Sequence, residues 1–228
     1  MLTDRLPVGL LALTAVSGII DAVSFLALGH IFTANMTGNV VFLAFAAAGT
    51  PGISVAGCIT SLAAFVSGAV VGGYFGRGIA GPAGYRWLRV SATCEAALLF
   101  AAAIAVIALD GDSTALLDRQ YAVIVLLAVA MGLRNATVRQ LAVSGLTTTT
   151  VVTTTLTGLV ADLALADSSN SRSLRRVGSI ASLFVGAAMG ALLLRLGLAL
   201  PLIVAAIVVL AATAYAAPPW NPSIGEKR

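Results

Sequence analysis

Apolar residues fill long unbroken stretches of this chain, and polar interruptions are few and regularly placed. Eight apolar segments stand out, roughly at 8–29, 34–49, 53–76, 87–109, 120–143, 150–166, 177–195 and 198–216. Many approach 20 residues, the length at which a helix rising 1.5 Å per residue crosses a bilayer. The runs are continuous rather than alternating, which predicts helices and not a membrane barrel. The clearest loops are "GPAGYRW", the acidic link "DGDSTALLDRQ" at 110–120 and "DSSNSRSLRR" at 167–176, and three prolines close the last helix at 218, 219 and 222.

Two of the segments carry polar patches where a spanning helix needs none. "FTANMTGNVV" at 32–41 holds Thr33, Asn35, Thr37 and Asn39, and "SGLTTTTVVTTTLTG" at 144–158 holds Thr153, Thr155 and Thr157. Non-helical backbone at membrane depth survives only where protein buries it or it lines a wet cavity. Each patch is therefore expected to break its segment into a re-entrant half-helix.

The two halves of the chain resemble each other. "GIIDA" at 18–22 matches "GLRNA" at 132–136, "TANMTG" at 33–38 matches "TTTLTG" at 153–158, and "GAVVGGYFGR" at 68–77 matches "GAAMGALLLR" at 186–195. The offsets are 114, 120 and 118, in the same order along the chain. Cytoplasmic loops are rich in Lys and Arg. If each half crosses an odd number of times, nine loop and tail cations fall inside and two, Arg119 and Arg195, outside. If all eight segments span, the split is only seven to four. An odd count inverts one half relative to the other. The expected architecture is thus an all-α integral membrane protein of two inverted repeats, each with three spans plus a broken or re-entrant half-helix. The whole chain, 1–228, is one membrane domain: a first repeat at 8–109, a second at 120–216 and a cytoplasmic tail at 217–228.

Composition agrees. The chain is 59% hydrophobic and 10% charged, against about 25% charged for soluble domains. The net charge of +4 sits near span ends and implies no nucleic-acid partner. Cys58 and Cys94 lie in apolar runs and are expected to be buried free thiols, and one histidine excludes a multi-histidine metal cluster. Asp4 in the first segment's basic flank, and the spans that follow, favour a retained first helix over a cleaved signal peptide.

The candidate chemistry lies in the patches and the charged residues inside spans. Asn35 or Thr37 would cap a half-helix whose N-terminus offers partial positive charge, and Thr153, Thr155 and Thr157 would do so from the other side. Asn39, Asn135 and Arg134 complete the expected solute site, since inverted-repeat transporters hold solutes at facing half-helix ends near the midplane. The competing reading is that these side chains only bond neighbouring helices. Asp21 is a carboxylate inside a span, so it faces the bundle interior. It is expected to pair with Arg134 across the repeat interface, either as a fixed ion pair or, with His30, as a coupling or gating group. Arg139 sits about 140° around the helix from Arg134 and snorkels. Glu95 would contact Arg89 or open to a cavity, and Asp162 would face the cytoplasmic boundary. The glycine rows at 68, 72 and 76 and at 186 and 190 let helices approach closely, within the chain or between copies in a homo-oligomer. No catalytic fingerprint is present, so the chain is read as no enzyme and as needing no cofactor or metal. Asp21, Ser24 and His30 are near neighbours, but no motif supports a hydrolytic triad.

"DAVSFLALGHIFTANMTGNVV" and "GLRNATVRQLAVSGLTTTTVVTTTLTGLVADL" resemble the YoaK-like family of small bacterial membrane proteins, whose activity is unassigned; "TTTTVVTTT" departs from that pattern. The resemblance implies a multi-pass protein of the bacterial inner membrane and transfers no functional residue. The functional expectation is a transporter or channel for a small polar or anionic solute, in contact with the lipid bilayer and with both termini cytoplasmic. The alternatives are a non-transporting membrane partner, such as an assembly or sensor subunit, and an enzyme acting on lipid.

Overall fold

The computed structural model describes residues 5–77, 82–107, 116–141 and 170–216. They form seven helices: α1 (Arg5–Ala27), α2 (Met36–Ala47), α3 (Val55–Phe75), α4 (Pro82–Ile107), α5 (Leu116–Leu141), α6 (Asn170–Leu194) and α7 (Ala199–Ala216). All but α2 are long and apolar enough to cross a membrane, so the protein is an all-α, multi-pass membrane protein. At 12 residues, α2 is about 18 Å long and falls short of a hydrocarbon core of about 30 Å. The expected segment at 150–166, with Thr153, Thr155, Thr157 and Asp162, lies outside the described residues.

Several boundaries differ from expectation: α4 begins at Pro82 and takes in most of the expected "GPAGYRW" loop, and α5 begins at Leu116 inside the expected 110–120 link. α1 ends at Ala27, and the chain reverses through Gly29 and His30, at φ of 94° and 57°. The second apolar segment becomes helical only from Met36. α6 begins at Asn170 and absorbs most of the expected 167–176 loop. Its polar start needs no lipid, so the helix runs on past the apolar stretch.

α1 packs against α6 and α7, α5 against α3 and α4, α4 against α7, and α2 lies on α3. The core is shared by α1, α4, α5 and α7 through Val16, Ile20, Leu99, Leu127, Met131 and Val209. α3 and α6 flank it and keep broad apolar faces exposed, Val70 on one and Phe184 on the other. Such faces suit lipid contact and oppose no hydrophobic drive in a bilayer.

Glycines set the closest approaches. A Cβ at Gly68 would collide with the Val129 carbonyl, and one at Gly72 would lie 2.9 Å from that of Leu133. In the other half, a Cβ at Gly186 would collide with the Ala15 carbonyl, and one at Gly190 would lie 2.9 Å from that of Ile19. Both contact series rise together along the paired helices, so α3 runs parallel to α5 and α6 parallel to α1. The Arg5 guanidinium stacks over Tyr215 and Gly9 meets Ala212 and Ala216, so α1 and α7 are antiparallel. Cys58 is a buried free thiol as expected, but Cys94 is exposed. An apolar run does not distinguish a core-facing position from a lipid-facing one.

Gly68→Val and Gly186→Val should each lower the thermal unfolding midpoint of the detergent-solubilised protein. Overpacking of this kind costs about 1–3 kcal/mol or more. Gly73→Ala, whose Cβ would meet nothing within 4 Å, should leave the midpoint unchanged or raise it slightly.

Candidate functional site

The chain between α1 and α2 is an elbow without helical bonding across Ile31–Asn35. Leu28 and Ile31 anchor it in the core, both at or under 3% exposure. Because lipid satisfies no backbone group, side chains must. Asn39, one turn into α2, accepts from the Phe32 N–H at 2.8 Å and donates to the Phe32 carbonyl at 2.7 Å. Ser61 of α3 donates to the same carbonyl at 2.6 Å. Asp21 of α1 accepts through Oδ1 from the N–H groups of Ala34 at 2.9 Å and Thr33 at 3.3 Å. Three helices thus hold the elbow by side chain. Phe25, Phe32 and Phe42 stack beside it. Its depth follows from Asp21, which lies six residues before the end of α1, or roughly 9 Å. The elbow therefore turns nearer one membrane surface than the midplane.

Nearer the middle of α1 sits a buried ion pair. Arg134 of α5 donates through Nε to Glu95 Oε1 of α4 at 2.8 Å, and its Nη2 bonds the same oxygen. Its Nη1 donates to the Leu13 carbonyl at 2.7 Å and to Ser17 Oγ at 2.8 Å. Arg134 is 4% and Glu95 2% exposed. Further along the same interface, the hydroxyls of Ser91 and Thr137 bond each other at 2.8 Å, and the antiparallel order of these two contacts fixes α4 against α5.

The expected Asp21–Arg134 pair is therefore not formed. Glu95 takes the guanidinium instead of turning to Arg89 or a cavity, because α4 packs on α5 and presents Glu95 beside Arg134. Asp21 stays within electrostatic reach of Arg134 but spends its carboxylate on the elbow. Asn135 turns back on its own helix, donating to the Met131 carbonyl at 3.0 Å. Asn35 stands at the N-cap of α2 without a side-chain capping bond. Asn35 and Thr37 are exposed, as is His30, whose ring meets Phe25 edge-on at 5.2 Å. Thr33 is fully buried, and its hydroxyl finds no partner among the described residues.

The structure brings Asp21, Thr33 and Asn39 together and sets Arg134 with Glu95 one layer deeper. Ser17 and Ser61 also belong to this set and were missed by sequence reasoning. Serines at helix interfaces carry no distinguishing signal, though a carboxylate at 95 inside an apolar run did.

A family profile described as "Protein of unknown function (DUF1275)" matches residues 9–215. The chain is 34% identical over 154 residues to the UPF0700 transmembrane protein YoaK of Bacillus subtilis (strain 168), a match covering 68% of this chain and 64% of that protein. The chain thus aligns with less than two thirds of the length of that curated relative. No solved structure matches.

Removing one member of a buried ion pair strands a charge and costs about 3–5 kcal/mol. Glu95→Ala and Arg134→Ala should each sharply lower the yield of monodisperse protein and its thermal midpoint. A double variant, Glu95→Leu with Arg134→Met, should recover most of that loss.

Proposed function

Since the chain belongs to the DUF1275 family, whose description assigns no activity, we propose a function from the site itself: passage of a small polar solute across the membrane, with the elbow before α2 as one wall of its path. The observation that carries this reading is the elbow, a non-helical turn inside the membrane that three helices hold by side chain. A protein that only needed to span would replace it with helix. Asn35 and Thr37 at the exposed start of α2 are the solute contacts proposed in this half, with Thr153, Thr155 and Thr157 in the other. Both sources of positive charge behind an anionic solute are already met by carboxylates, Arg134 by Glu95 and the approach to α2 by Asp21. A neutral polar solute is therefore preferred to an anion.

The proposal includes an inverted repeat. Gly68 meets Val129 and Gly72 meets Leu133, while Gly186 meets Ala15 and Gly190 meets Ile19. Each member of one set lies 114 or 118 residues from its counterpart in the other, the same offsets that relate the repeated motifs. An offset of 110 superposes the buried positions of α4, among them Glu95, Leu99 and Ala102, on Ala205, Val209 and Ala212 of α7. Arg89, Ala92 and Thr93 near the start of α4 share a cleft with Leu210, Thr213 and Ala214 at the end of α7. α1 and α4 therefore begin at one end of the bundle. α5, antiparallel to α4, begins at the other, so α1 and its counterpart α5 point in opposite directions. With the cation-rich ends inside, both termini are cytoplasmic, in the inner membrane of a bacterium.

A second reading, a membrane subunit that transports nothing, draws on Asn39 and Ser61, whose bonds are spent on the elbow. Neither reading gives the chain a catalytic role.

Proteoliposomes carrying the protein should take up at least one of a panel of small polar solutes faster than empty vesicles. Asn35→Ala and Thr37→Ala together should cut that uptake about tenfold, consistent with loss of one or two hydrogen bonds to solute. Uptake equal to empty vesicles for every solute, or equal between wild type and the double variant, would count against transport and favour the subunit reading.

A further inference from the structure

We propose that Asp21 and the elbow backbone it holds form an exchangeable proton site, and that binding a proton there releases the elbow and frees α2 to move. This deepens the transport reading by naming its coupling ion, but its observations and its test do not depend on flux.

Among the described residues, the interior holds two carboxylates, Asp21 and Glu95, and one guanidinium, Arg134, to serve them. Arg134 is committed: Nε and Nη2 go to Glu95, and Nη1 goes to Leu13 and Ser17. Asp21 is left with electrostatic reach of that cation and the N–H groups of Thr33 and Ala34. Among the described residues, the remaining neighbours of α1 offer it no other counter-charge: α6 carries ionisable groups only near its start, at Arg172, Arg175 and Arg176, with Arg195 just past its end, and α7 only Tyr215 in its last turn. His30 lies past the end of α1, exposed and against Phe25. With all three groups ionised, the cluster carries one net negative charge inside the membrane, a costly state that one bound proton removes.

Access selects where that proton goes. Glu95 is 2% exposed and bonded twice to Arg134, whereas Asp21 keeps partial exposure. The proton passes from water to the Asp21 carboxylate, whose charge goes from minus one to zero. The bonds it receives from Thr33 and Ala34 then lose their charge assistance, which accounts for roughly half of their strength. Asn39 and Ser61 still hold Phe32, but they hold one residue and not the two that lead into α2. The equivalent position in the second half is Asn135, an amide that cannot ionise. The switch therefore belongs to one repeat only, and the ion pair, which joins the two halves, is likewise not repeated, its counterparts being Ile20 and Ala205.

Hydrogen exchange read by mass spectrometry on the full chain in lipid nanodiscs tests the proposal, with rates corrected for the intrinsic effect of pH. In the wild type, amides around Thr33 and Ala34 should lose protection about tenfold from mildly alkaline to mildly acidic pH, as the tether weakens. An infrared band of a protonated carboxyl should grow over the same interval. Asp21→Asn should be unprotected throughout and lack that band, and Glu95→Gln, which leaves Arg134 to balance Asp21, should hold the protection to lower pH and move the growth of the band with it. Protection independent of pH in the wild type would overturn the proposal, as would an unchanged response in Asp21→Asn. Protection that follows sodium and not pH would assign the site to that ion and equally overturn the proton. Should Asp21→Asn fail to fold, the wild-type band and exchange profile decide alone: growth in step supports the site, and divergence refutes it.

Discussion

In hydrocarbon, every backbone N–H and C=O needs a partner within the protein. Seven described helices meet that demand by themselves, and the elbow at Ile31–Asn35 does not. The cost of leaving its groups bare explains why a chain with 10% charged residues keeps Asp21, Asn39 and Ser61 where it does. Asn39 satisfies both backbone groups of Phe32, Ser61 adds a second donor to that carbonyl, and Asp21 collects the next two N–H groups. The shortness of α2 follows, because a helix that starts below the membrane surface needs only a few turns to leave it.

In the inverted repeat we propose, the two halves share a scaffold around the elbow but not the chemistry placed on it. Small residues recur at matched positions in both halves and bring backbones into contact across α1–α6 and α3–α5. On that frame the first half supplies Asp21 and Glu95, and the second half supplies Arg134. Their counterparts are Asn135, Ala205 and Ile20. Packing tolerates the near-symmetry, and charge breaks it. That the buried ionisable groups have no ionisable counterparts fits a function in which the two proposed halves do different work.

Much of the fold was legible because helix length and apolar continuity are local properties. Six spans and one short segment were readable as such, and the polar patch at 33–39 marked the break. The boundary at Ala27 was not, since the turn depends on left-handed backbone at Gly29 and His30 that composition does not announce. The partner of Arg134 was misread because repeat logic joined Asp21 to the residue beside Asn135. Which carboxylate reaches a guanidinium is set by helix rotation and neighbours, and the α4–α5 contact decided it for Glu95. Asn39 was singled out as a solute contact. The structure places its amide on Phe32, a partner seven residues away that only the folded elbow brings close.

The account turns on the elbow sending α2 back toward the side from which the chain came. Cysteines placed singly at His30, Thr50 and Arg77, in a background lacking Cys58 and Cys94, allow this to be read in intact cells with a membrane-impermeant maleimide. The account predicts that positions 30 and 50 label from the same outer face while position 77 labels only after the membrane is opened. Labelling of 30 and 50 from opposite faces would mean that the second segment crosses, and would contradict both the elbow and the inverted halves built on it.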